Sequence, residues 1–99
     1  MEKFVYYNLL FDLYGSLLTD KERNYFALYY EENLTLQEIA DNYKVSKSYI
    51  GNMIKKIEIK LVGLESKLHI LEKKQDLENL LLIDDINQIY KQIKKIINY

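Results

Sequence analysis

Two helix starts of the same design lie close together in this chain, at Thr19-Asp20-Lys21-Glu22 and Thr35-Leu36-Gln37-Glu38. In each, the Thr hydroxyl can accept from the Glu amide while the Glu carboxylate reaches back to the Thr amide, a capping box. The first opens a helix carrying Tyr25, Phe26, Leu28 and Tyr29 that fades at Glu31-Glu32-Asn33. The second opens a short helix, LQEIADNY, with Ile39, Ala40 and Tyr43 facing inward. Lys44-Val45-Ser46 then reads as a tight turn, with Val45 plugging it and Ser46 as the N-cap of a further helix. Two capped helices separated by so short a turn are a helix-turn-helix. Ala40 is expected where the two helices cross, and Ile50 and Met53 return the second helix to the core.

That second helix runs on far beyond a DNA-reading length. Ile50, Ile54, Ile57, Leu61, Leu64, Leu68 and Leu71 alternate spacings of four and three, a heptad seam. A second seam follows at Leu82, Ile86, Ile89, Ile93 and Ile96. The polar stretch Glu72–Asp76 between them is the expected point of reversal, with Asp76 or Asp84 capping the last helix. The two seams can pack on each other, with the last helix antiparallel to the long one, or serve a dimer. Upstream, Phe4, Tyr7, Phe11 and Tyr14 recur at helical spacing as core and interface, and Gly15 offers a C′ stop. Pro is absent and Gly occurs three times, so few residues interrupt these helices. The expectation is an all-α fold of about five helices without a sheet. It comprises a single domain over 1–99, with the helix-turn-helix core at 19–60 and a helical extension at 61–99. The helix-turn-helix is of winged-helix-like or sigma region 4-like kind, with a long recognition helix and a C-terminal helix.

Composition narrows the function. With 48% apolar residues the chain can bury a core, and without Cys it has no disulfide scaffold or thiolate metal site. Asp12 interrupts the apolar start, which argues against a secretory signal, and no apolar run approaches a membrane span. A cytoplasmic location is expected. No phosphate-binding glycine loop or nucleophile elbow occurs. His69 stands alone, and Asp84-Asp85 reads as a helix cap, so neither enzymatic chemistry, a cofactor nor a small-molecule substrate is expected. The ten tyrosines follow from a Lys-, Ile- and Asn-rich composition of the kind AT-rich genomes favour.

The candidate DNA-binding residues are geometric. At about 100° per residue, Ser48, Asn52 and Lys55 fall opposite the Ile50/Ile54/Ile57 seam, with Lys47, Gly51 and Lys56 on the flanks. Ser46, Lys47 and Ser48 form a helix start suited to phosphate, Asn52 can pair with an adenine edge, and Lys55 and Lys56 can meet phosphate or guanine. Residues 47–60 hold four Lys and one Glu, yet across 19–60 seven basic residues meet seven acidic ones. The net charge of the chain is −1. That balance weakens the long-range attraction on which non-specific DNA binding rests. The alternative is therefore a protein- or RNA-binding adaptor that does not read DNA. Ile59 and Val62 place apolar groups on the otherwise wet side of the long helix and mark a contact, within the chain or with a second copy in a homodimer.

The segment from Leu34 to Gln75, with its Glu38-Ile39-Ala40 core, Val45-Ser46 turn and Glu65-Ser66-Lys67-Leu68-His69 tail, resembles the YlxM-like helix-turn-helix proteins of bacteria. Leu18–Arg23 followed by aromatics fits the same pattern. The resemblance implies a helix-turn-helix similar to region 4 of sigma factors. It also implies a small regulatory protein acting with the signal recognition particle system, whose components would then be partners.

Overall fold

The computed structural model describes residues 2–98, and among them it contains six α-helices and no strand. These are α1 (Lys3–Tyr14), α2 (Asp20–Tyr30), α3 (Leu36–Tyr43), α4 (Lys47–Leu68), α5 (Ile70–Leu80) and α6 (Ile86–Ile97), with a single 3-10 turn at Gly15–Leu17. The chain gathers into two compact units, residues 1–67 and residues 68–99.

Both capping boxes form. Thr19 and Thr35 accept from the amides of Glu22 and Glu38 at 3.2 and 3.1 Å, and each Glu takes the Thr amide in return, at 2.8 and 2.9 Å. Ser46 caps α4 through the Tyr49 amide at 3.0 Å. Between α3 and α4 the turn is set by Lys44 in the left-handed region (φ 55°, ψ 45°). The Val45 amide reaches the Ala40 carbonyl at 3.0 Å and the Lys44 amide reaches Asp41, the paired bonds of a Schellman motif. No glycine is used, so Lys44 carries a left-handed strain of roughly 1 kcal/mol that the two bonds offset. Val45 and Tyr43 close the turn only partly, remaining 37% and 41% exposed, although Tyr43 lies edge-on to Tyr25.

The core of the first unit unites Leu10, Tyr14, Leu18, Tyr25, Phe26, Tyr30, Ile39, Ala40, Ile50, Ile54, Ile57 and Leu61. Phe26 stacks on Tyr30 with centroids 4.4 Å apart, and Phe4, Tyr7 and Phe11 of α1 close over this pair. The first four seam positions of α4 are thus taken up inside the unit.

Several local expectations are corrected. Gly15 does not end α1 in a left-handed turn; it stays right-handed (φ −56°) and enters the 3-10 turn. Its small size matters because a Cβ there would lie 3.3 Å from the Phe11 ring. The heptad seam does not run unbroken to Leu71. α4 ends at Leu68, and His69 adopts a left-handed conformation (φ 54°) before α5, which accounts for a sixth helix. The break has local causes: Gly63 weakens the preceding turns, and Ser66 Oγ bonds the Gly63 carbonyl at 2.8 Å. His tolerates positive φ better than most residues, and here its Nδ1 lies 3.0 Å from Glu72 Oε2. Glu72–Asp76 is consequently helical, and the reversal falls at residues 81–85. The cap of α6 is neither Asp76 nor Asp84 but Asp85, which accepts from the Asn87 amide at 2.9 Å. In this second unit α6 packs on α5.

Candidate nucleic-acid interface

α4 begins at the helix-turn-helix turn and buries Ile50, Ile54 and Ile57. Its opposite side therefore faces water, and Lys47, Ser48, Asn52, Lys55 and Lys56 are all exposed, as is Ser46 at the cap. Ser48, Asn52, Lys55 and Ile59 fall in line along this side, with Ile59 72% exposed. Gly51 does not belong to the exposed face. A Cβ at that position would point to Leu36 Cδ1 of α3 at 3.6 Å, an ordinary contact. Gly51→Ala is therefore expected to stabilise the fold by roughly 0.5–1 kcal/mol, the helix-propensity difference, with the binding face untouched. A thermal melt that falls rather than rises would show the α3–α4 crossing to be tighter than this.

Most of the acidic residues that balance the charge of residues 19–60 are held in caps, pairs or the core. Glu22 and Glu38 serve the capping boxes, Asp20 pairs with Arg23, and Asp41 accepts from Gln37. Glu22 also accepts from Lys60 at 3.0 Å. Burial pushes the Glu22 carboxyl up, but the Thr19 amide and hydroxyl and the Lys60 ammonium outweigh it and hold it below its ordinary range. Glu58 is buried at 9% exposure, receives the Tyr30 hydroxyl, and has the Lys3 ammonium 3.8 Å away. One helical heptad on, Glu65 takes the Tyr14 hydroxyl at 2.5 Å. Two α4 carboxylates thus anchor the long helix to tyrosines of α2 and α1.

One basic residue of the face escaped sequence reasoning. Lys21, at the start of α2, donates to the Tyr49 hydroxyl at 2.8 Å and lies over the Tyr25 and Tyr49 rings. The Tyr49 phenol raises the Lys21 ammonium above its usual range, and Lys21 in turn lowers Tyr49, with Lys56 adding to the same field. Lys21, Lys56 and Lys60 thereby line the α2 side of α4. The only sequence signal was the basic residue inside the first capping box, with nothing to tie it to Tyr49.

On the opposite flank Tyr7 of α1 and Lys55, Glu58, Ile59 and Val62 of α4 enclose a shallow, mainly apolar groove of about 330 Å³. Ile59 and Val62 both remain exposed there. Among the described residues no group of three His, Asp or Glu side chains is placed to hold a metal ion. No helix among them is long and apolar enough to cross a membrane.

Comparison with known proteins settles the lineage. The family model described as "Putative helix-turn-helix protein, YlxM / p13 like" matches residues 1–99. The chain belongs to the YlxM / p13 like family. A UPF0122 protein of Mycoplasma capricolum is 39% identical over 98% of this chain and 90% of its own length. A UPF0122 protein of Clostridium kluyveri is 37% identical over 100% of this chain and 96% of its own length. Another, from Shouchella clausii, is 44% identical over 82% of this chain and 74% of its own length. Membership in the YlxM / p13 like family agrees with the all-helical fold and the α3–turn–α4 arrangement.

Proposed function

We propose that this protein is a non-enzymatic helix-turn-helix regulator that binds DNA through the exposed face of α4. The observation that carries the reading is the Ser46-capped start of α4 directly after the α3 turn, with Lys47, Ser48, Asn52, Lys55 and Lys56 all in water on one side. Lys47 and Ser48 occupy the positive end of the helix and suit a phosphate. Asn52 has the two-point chemistry for an adenine edge, and Lys55, Lys56 and Lys21 supply cations on either flank.

Lys47→Ala and Lys21→Ala are each expected to weaken binding to every sequence alike and to flatten its salt dependence, because each removes a phosphate contact. Asn52→Ala is expected to cost about 1–3 kcal/mol on the preferred site only. Titrations against duplex pools at low salt, where the Debye length is long, measure both effects. Absence of binding at tens of millimolar salt would reject the reading.

A second reading is favoured by the groove between Tyr7, Ile59 and Val62, an apolar surface beside a cation, Lys55. A protein or RNA partner of the signal recognition particle system, which the family resemblance implies, would use it. Capture of such a partner that is lost in Ile59→Asp yet retained in Asn52→Ala would move this reading ahead.

A further inference from the structure

The second unit is too small to hold itself together by a core. It spans residues 68–99, and Leu71 is its one buried side chain among the described residues. Units below about 40 residues usually need a disulfide, a metal or association with another chain. The chain has no cysteine, and among the described residues no group of His, Asp or Glu is placed to hold a metal, which leaves association. α6 is sharply two-sided. Ile89, Gln92 and Ile96 are half-buried, and Gln92 and Ile96 border a hollow shared with Asp76 of α5. Ile86, Tyr90, Ile93 and Ile97 fall on a separate stripe, exposed at 80, 61, 39 and 73%. Leu81 and Leu82 continue it into the turn, at 85 and 84%. Six large apolar or aromatic side chains are thus left mostly in water on and next to one helix, the kind of row that marks a contact.

We propose that this stripe is the dimer interface, with α6 of a second copy packed antiparallel on it. Charge selects the occupant and its direction. Asp84 and Asp85 stand at the start of α6, while Lys94 flanks the stripe toward its end, lying over the Tyr90 ring at 4.8 Å. An antiparallel pair brings the acidic start of each α6 beside the basic end of the other, at both ends of a two-fold interface. The opposed helix dipoles favour the same direction. An anionic lipid surface fits less well, because the two aspartates sit at the most exposed apolar end. The proposal is independent of whether α4 reads DNA.

Sedimentation equilibrium on the full chain at micromolar concentration is expected to give twice the 11.9 kDa of one chain. Tyr90→Lys/Ile93→Lys should be monomeric with an unchanged helical circular dichroism spectrum. Lys94→Glu and Asp84→Lys/Asp85→Asn, the latter keeping a capping side chain, should each weaken self-association at least tenfold. Mixed together they should restore it as a heterodimer, because every like-charge contact becomes an opposite one. A monomeric wild type overturns the proposal, whether or not the chain then binds phosphatidylglycerol vesicles. So does a dimer that Tyr90→Lys/Ile93→Lys leaves intact, or a mixture that stays as weak as its components.

Discussion

Ile57→Ala is expected to destabilise the protein by about 2–5 kcal/mol, the range for removing a fully buried aliphatic side chain and leaving a cavity. Ile57 has no exposure and sits mid-way along the buried side of α4. Its position in the heptad seam gives it a second conceivable role, at a helix–helix interface between chains. The two roles differ in their dependence on concentration, because an interface residue acts through association. With Ile57 in the core of one chain, the loss relative to wild type should be the same at every protein concentration. Urea midpoints measured over a hundredfold concentration range test this. A deficit that shrinks as concentration rises would return the seam to an interface between copies.

Tyr30→Phe should be the next most damaging change, at about 2–3 kcal/mol, because it strips a buried carboxylate of its hydroxyl donor. Glu58 would be left with Lys3, whose side chain is 63% exposed and 3.8 Å away. The same pair creates a pH dependence. Burial first, then the hydrogen bond to Glu58 and its charge, push the Tyr30 phenol well above its ordinary value of 10.0. A raised folded pKa means that the unfolded chain loses this proton first. The stabilisation is whole below pH 10 and is lost as pH rises above it, by roughly 1.4 kcal/mol per unit for the one group. Burial raises Tyr6 and Tyr25 as well, which adds to the alkaline slope, whereas Lys21 lowers Tyr49 and opposes it. Tyr30→Phe should therefore show a shallower loss of stability between pH 9 and 11 than wild type. Parallel pH profiles for the two proteins would mean that Tyr30 ionises as freely in the folded chain as in the unfolded one.

What could be read from the residues in order was whatever depends on near neighbours. Thr19 with Glu22, Thr35 with Glu38 and Ser46 with the amide of Tyr49 act within one helical turn, so the starts of α2, α3 and α4 were legible before any packing was known. The spacing of Ile50, Ile54 and Ile57 likewise determined which side of α4 is dry, and by exclusion that Ser48, Asn52, Lys55 and Lys56 are wet. The helix ends were less legible. Lys44 and His69 turn left-handed without being glycine, and bonds around them, among them Val45 to Ala40 and His69 to Glu72, support those conformations.

Tertiary structure alone decided how charge is distributed over the candidate face. Counting treats Glu58 and Glu22 as equal to any surface acid, but the fold buries one beneath Tyr30 and ties the other to Lys60. It brings Lys21 to Tyr49 across a chain separation that no spacing rule spans. It directs Gly51 toward Leu36 rather than toward solvent. Periodicity assigns a residue to a side of its own helix, and it cannot say which other helix, or none, meets that side. The seams of α4 and α6 are nearly alike as patterns, yet the first is buried at Ile50, Ile54, Ile57 and Leu61, whereas the second leaves Leu82 and Ile86 in water and Ile89 and Ile96 only half-buried.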